Sequence, residues 1–495
     1  MPFDQDAYGD GFFPPQQFGG VNQPTSNHVE PPRPTFDKRS TAKLLRKLDW
    51  NLIPFIALLY FLALLDSTNI VNFRAVTVLQ RDLKMKGLDY SVALALFFPF
   101  YAVAAIPSNL FLRKIGPSRW LCIITMATGL CMTLMGTVKT FGTLLVARSV
   151  LGFAEGGIFP GIIFYVTFWY RRYESGLRMA IIFSAATLGV SFNGLLGHLI
   201  SYMGGIGGRP SWAWTFILEG LATILVAFLA KFLIHDGPET ARFLKAVEHT
   251  QMKERLVQDH PSLSNEHHSR YITSAFKDWK IYVHILIAIC IYTPLYSIFR
   301  FLPTIVKNMD YFNDYTQLMT VAPAVLGCII TIVAGFISDK TKRRGAYMML
   351  FCVPAILGYV LMISTRDSHV QYAGAFLVIS GVYPNVPIGV AWNANNIGGS
   401  TKRAVGIAMQ IGFGHLGGVI SAFLPILAQG HIVSIGMLTL SFFLCLFMHR
   451  YLLRENSRRD AEMMAQGLTL ESYSEEQKFQ EHEKGDDASF FRYSV

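Results

Sequence analysis

The sequence predicts an all-α integral membrane protein with twelve transmembrane helices, and three observations carry that prediction. Twelve separate apolar stretches are each long enough to cross a bilayer. A hydrocarbon core of about 30 Å needs about 20 mostly apolar residues in a helix. Hydrophobic residues make up 52% of the chain and charged residues 15%, with a mean hydropathy of +0.36. The stretches also lack the polar face that a helix of a soluble protein keeps toward water. They cover roughly 48–70, 91–112, 119–138, 141–168, 178–203, 212–235, 281–302, 317–338, 346–364, 370–393, 404–428 and 431–452.

Taken in order, residues 1–45 are rich in Pro, Gly, Gln and Asn without apolar periodicity, and read as a disordered tail. No apolar run follows Met1, so the first span is expected to serve as its own insertion signal. Spans one to six form an N-terminal unit, 46–236. Residues 237–278 read as a connector, and the stretch 236–280 holds seven basic and seven acidic residues. Spans seven to twelve form a C-terminal unit, 279–455, followed by an acidic tail, 456–495, expected to be mobile. All six cysteines fall inside predicted spans, where they act as small apolar residues. No metal-ligand spacing is present, and His267-His268 stands alone in the connector.

The distribution of Lys and Arg predicts orientation. Arg113, Lys114, Arg119, Arg171, Arg172, Arg178, Lys340, Lys342, Arg343, Arg344, Lys402 and Arg403 fall on one side if both termini are cytoplasmic. The opposite loops hold few basic residues apart from Arg81, Lys84 and Lys86. The net charge of +10 is therefore mainly a topology signal; it is spread over loop ends and does not form a nucleic-acid patch.

The halves repeat. An offset of 226 residues carries Arg113 to Asp339 and also carries span four onto span ten and span five onto span eleven. A parallel repeat of two six-helix bundles around a midplane site is a transporter architecture.

The loop Gly335-Phe336-Ile337-Ser338-Asp339-Lys340-Thr341-Lys342-Arg343-Arg344 resembles the loop signature of the major facilitator superfamily, with Asp339 and Arg343 in its gating positions. Asp66-Ser67-Thr68-Asn69, Pro107-Ser108-Asn109, Arg148 through Gly161, Asp236-Gly237-Pro238-Glu239-Thr240, Phe301-Leu302-Pro303-Thr304 and Thr401 through Gln410 resemble, more narrowly, the fungal allantoate permease group of anion:cation symporters. The resemblance implies a two-bundle carrier with a central cavity. Members take up nicotinate, allantoate, other vitamins, ureides or small peptides, commonly with protons.

Charges at bilayer depth are costly and normally face a cavity. Arg148 and Glu155 lie seven residues apart in span four, on one helical face. Burial disfavours the ionised form of Glu155 and a nearby guanidinium favours it, which suits a group that loads and releases a proton; a permanent ion pair is the alternative. The resemblance assigns proton coupling to Glu155 and a titrating role to Asp66. Relatives follow that acid with an arginine thought to clamp the substrate's anionic group, where this chain has Ser67. Arg148, or Arg300 near the end of span seven, is left to meet an anion, although Arg300 also suits an interfacial role. Tyr101, Asn193 and Trp392 are further substrate-binding candidates, and His415 is expected to hydrogen-bond between helices. The pairs Gly152/Gly156, Gly157/Gly161 and Gly414/Gly418 suggest close helix packing.

The expected function is proton-coupled uptake of a small organic anion such as nicotinate or allantoate. Export of an organic metabolite by the same fold is the alternative. The absence of a P-loop or nucleophile elbow argues against a pump or an enzyme. No cofactor and no nucleic acid are expected as partners, only substrate, protons and lipid. A monomer in the plasma membrane is expected, with the vacuolar membrane second.

Overall fold

A computed structural model describes residues 38–71, 73–259, 269–309, 313–424, 430–467, 477, 480–481 and 483–495. Among these, twelve helices are long and apolar enough to cross a membrane. They are α1 (Lys38–Thr68), α2 (Asp89–Ile115), α3 (Pro117–Met135), α4 (Phe141–Trp169), α5 (Ser175–Ser201) and α6 (Ser211–Leu233), then α7 (Trp279–Lys307), α8 (Met319–Thr341), α9 (Arg344–Ser364), α10 (Ser368–Asn396), α11 (Ser400–Phe423) and α12 (Gly430–Ala465). Val103, Val146, Leu225 and Phe232 lie exposed on outward faces, as lipid-facing residues do.

Several boundaries differ from expectation. Helix α1 begins at Lys38, inside the segment expected to be a disordered tail, because Leu44 and Leu48 already find buried positions there. The remainder of that tail lies outside the described residues, as do His267 and His268. The connector contains two helices, Ala246–Asp259 and Ser269–Lys277, the first tied to α1 by Lys47 on Glu248 at 2.6 Å. Helix α12 runs past the expected end to Ala465, and the segment 483–495 is packed down rather than mobile, with Asp486, Ala488, Phe491, Tyr493 and Ser494 buried.

Within the first six spans, α1 packs on α5 and α3 on α6, and α2 lies along α4. Within the last six, α9 packs on α10 and α12, and α7 touches α10, α11 and α12. Two seams join the sets, α5 against α8 and α2 against α11.

Glycines make these seams close. A side chain at Gly152 or Gly156 would strike the backbone carbonyl of Phe97 or Tyr101. On the opposite side of α2, a Cβ at Gly412 would sit 2.8 Å from that of Ala105, and one at Gly418 would enter the Phe98 ring. The small-residue pairs read from the sequence thus let one helix, α2, be gripped by both α4 and α11. A left-handed Gly116 (φ 99°) turns the chain from α2 into α3, and Asp236 accepts from the Ser118 N–H at 2.8 Å to hold that corner.

Three spans turn irregularly while keeping right-handed helical backbone angles: α2 at Leu96 (φ −64°), α4 at Gly156-Gly157 (φ −57° and −98°) and α11 at His415-Leu416 (φ −63° and −60°).

Candidate functional site: an aromatic cavity beside three buried carboxylates

Next to the irregular turns of α4 and α11 lies a small cavity, with room for about one water in this state, whose lining includes Tyr60, Phe159, Phe183, Thr187, Tyr292, Tyr296, Phe299 and His415. Tyr60 stacks on Phe159 with ring centroids 4.4 Å apart, joining α1 to α4. His415 is enclosed by Tyr101, stacked at 4.3 Å, and by Tyr292, edge-on at 5.0 Å. Its Nδ1 lies 2.6 Å from the Ile411 carbonyl. A carbonyl can only accept, so Nδ1 carries the hydrogen and Nε2 keeps its lone pair. The bond is within α11, not between helices as expected.

Glu155 directly precedes the Gly156-Gly157 turn of α4 and is 5% exposed. Its Oε2 has no hydrogen-bond partner. Ser67 of α1 lies beside it, with its hydroxyl donating to the Leu64 carbonyl at 3.2 Å. Tyr60, Tyr101 and Tyr296 lie within electrostatic reach, which connects this carboxyl to the cavity wall.

Arg148 does not form the ion pair that its spacing from Glu155 allowed. Its Nε donates to the Ala93 carbonyl of α2 at 3.3 Å and its Nη1 to the Ser67 carbonyl of α1 at 3.4 Å, with Phe97 under the guanidinium at 4.9 Å. It ties α1, α2 and α4 together. Arg300 donates to the Ala422 and Ser421 carbonyls at 2.6 and 3.4 Å, capping the last turn of α11, and lies over the Tyr90 ring. Neither arginine lines the cavity, where an anionic substrate would need one.

Asp66, fully buried, accepts from Thr223 Oγ1 of α6 at 2.8 Å, and its Oδ1 is unpartnered. Next to it stands a residue the sequence reading passed over. Glu219 of α6 is buried, accepts from the Asn69 amide and lies within electrostatic reach of Asp66. The rule that singled out Glu155 applies equally to Glu219, a lone carboxyl in Ile217-Leu218-Glu219-Gly220-Leu221. Among the described residues, Asp66, Glu155 and Glu219 are three buried carboxyls with the buried guanidinium of Arg148 near Glu155.

The other expected binding residues are placed elsewhere. Asn193 donates to Thr68 Oγ1 at 3.4 Å, bridging α5 and α1. Trp392 lies at the end of the bundle, where its Nε1 donates to the Ser494 carbonyl at 2.9 Å and its ring meets His284. It is absent from the cavity lining. In the loop motif, Asp339 accepts from the Leu177 N–H of α5 and from Arg344, both at 2.8 Å. Arg343, assigned to the gate from the sequence, is exposed; its neighbour Arg344 is the buried partner.

The sequence matches the model of the Major Facilitator Superfamily over residues 56–422. The chain belongs to that superfamily. Relatives of this major facilitator include an uncharacterized transporter of Schizosaccharomyces pombe, 33% identical over 389 residues, 78% of this chain and 80% of the relative. An MFS-type transporter of Penicillium expansum is 30% identical over 478 residues, 92% and 91% of the two chains. Among solved structures, the proton:xylose symporter XylE has the same fold at a TM-score of 0.64 and 14% identity, covering 81% of this chain and 96% of that one. The human organic anion transporter MFSD10 is similar at 0.57 and 15%, covering 80% and 99%. This major facilitator is a membrane transporter and not an enzyme.

Proposed function

We propose that this transporter moves a small organic solute by alternating access, coupled to protons held by Glu155, Asp66 and Glu219. The observation that carries the reading is Glu155 itself, buried, half unpartnered and one helical turn before Phe159 of the cavity wall. Among the described residues Arg148 is the guanidinium beside these carboxyls, and three ionised carboxyls against one cation would be costly in a dry interior, which favours protons held among them. Loss or gain of such a proton changes which groups Ser67 and the tyrosines face, and that provides a link between protonation and helix position. Two halves, 46–236 and 279–455, rock about the α2–α11 and α5–α8 seams. Both termini face the cytoplasm, and the direction is uptake across the plasma membrane by a monomer. The resemblance points to an organic anion as cargo, but the uncharged cavity wall favours another charge state.

The test is uptake into proteoliposomes of paired neutral and anionic aromatic solutes, with and without an inward proton gradient. The gradient should accelerate accumulation, and Glu155→Gln should abolish accumulation while retaining counterflow. A variant that still concentrates solute would remove Glu155 from the coupling.

A further inference from the structure

We propose that the cavity binds a neutral, planar aromatic solute with a hydrogen-bonding edge, such as a ring bearing a primary carboxamide. This rests on the carrier reading above and adds the substrate class. Among the described residues, the lining contains six Phe and Tyr rings and no Lys, Arg, Asp or Glu. Aromatic faces carry negative potential and favour offset stacking with neutral rings, whereas a carboxylate among them would be buried without a cation. Two polar groups are oriented for use. Tyr292 is 3% exposed, and its hydroxyl has no partner, leaving a donor in the cavity. His415, committed at Nδ1 to Ile411, offers Nε2 as an acceptor. A carboxamide supplies the complement to both, an oxygen for Tyr292 and an N–H for His415. A buried hydroxyl left without a partner, as on Tyr292, discriminates against ligands that cannot complete it.

Charge is isolated from shape by three probes on one scaffold: benzamide, benzoate and benzamidinium. Indole-3-carboxamide, its carboxylate and its amidinium form a second set. Calorimetric titration of the purified protein, with no gradient, should show the carboxamide as the tightest binder in each set. Tyr292→Phe should weaken the carboxamide about tenfold. Tighter binding by a carboxylate or an amidinium, equal binding within both sets, or no binding by any of the six overturns the assignment. Because binding is read without a gradient, a protein that binds benzamide but ignores protons would count against the coupling and not against this cavity.

A separate observation carries a second inference. The segment 483–495 is held by charges inside one end of the bundle: Asp486, 1% exposed, contacts Lys402 at 2.7 Å and Lys280 at 2.9 Å. Arg459 gathers the carbonyls of Asp486, Ala488 and Phe491, and Asn396 accepts from the Ser494 N–H at 2.7 Å. The segment also reaches the first six spans. Phe491 lies 4.5 Å under the Arg172 guanidinium. The Arg172 carbonyl in turn accepts from Arg344 at 2.7 Å and Asn395 at 2.9 Å. We infer that this segment is a latch holding that end shut. Hydrogen exchange of the whole protein should show 483–495, 392–403 and 170–178 protected together, and Asp486→Asn should deprotect all three. An unprotected segment in the wild type overturns the docking, and a variant that loosens 483–495 alone overturns the latch.

Discussion

Position 67 shows how one side chain rearranges a site. Here the Ser67 carbonyl accepts from Arg148 at 3.4 Å, and its hydroxyl donates to the Leu64 carbonyl at 3.2 Å. Ser67→Arg would place a second guanidinium beside Glu155, restoring a bidentate anion clamp. The variant should gain affinity for benzoate relative to benzamide in calorimetric titration; unchanged selectivity would mean that position 67 does not face the solute. Arg148→Lys replaces a fork spanning two carbonyls by a point charge that satisfies one. It should cost about 1.5–3 kcal/mol of stability, seen as a lower thermal unfolding midpoint. Glu219→Gln should impair proton-driven accumulation, since the amide cannot exchange the proton and disturbs Asn69. Full accumulation by that variant in a proteoliposome assay would confine coupling to Glu155 and Asp66. Glu155 and Arg148 were visible in the sequence as costly charges on one face. Their separation was not, because it depends on α1 and α2 supplying carbonyls from elsewhere in the chain.

At the level of elements, the spans were legible because a bilayer demands length and apolarity that no other structure shares. Their ends were less so. Helix α1 starts early because Leu44 and Leu48 are covered and Arg178 grips Asp49 with two bonds, at 2.9 and 2.7 Å. The loop motif shows the same limit. Asp339 was legible, but its partner is Arg344, as the turn at Lys342 (φ 60°) leaves Arg343 outside. Asp339 staples the first turn of α5 while neutralising a guanidinium with no exposed surface. Asp339→Ala should therefore destabilise the protein by about 3–5 kcal/mol, measured by thermal unfolding in detergent, because it leaves Arg344 buried and unpaired. A cost near zero would mean that water reaches Arg344.

At the scale of the whole molecule, the 483–495 segment joins elements far apart in the chain. Burial raises the proton affinity of Asp486, but Lys402 and Lys280 outweigh it and hold the carboxyl below its ordinary value. The sign follows: the docked form has the lower pKa, so docking is favoured above the undocked value and is lost as pH falls through the docked one. The segment should stay docked from about pH 8 to about pH 5 and release only below the ordinary carboxylate range. Anisotropy of a dye on Lys484→Cys, an exposed position, should be flat over that range. A fall near pH 6 would point to a different titrating group.

By itself the sequence determined the class of molecule, twelve spans in two repeating halves, the superfamily motif, and two of the three buried carboxyls. These follow from local composition, since a membrane imposes its requirement on each span separately. Only the tertiary structure decided the character of the cavity. Its aromatic wall is assembled from α1, α4, α5, α7 and α11, and no periodicity within one span marks a tyrosine as cavity-facing rather than packed. It also decided that the arginines hold helices together at backbone carbonyls, and that a polar acidic segment, unremarkable as sequence, is buried because Lys280, Lys402 and Arg459 converge to receive it.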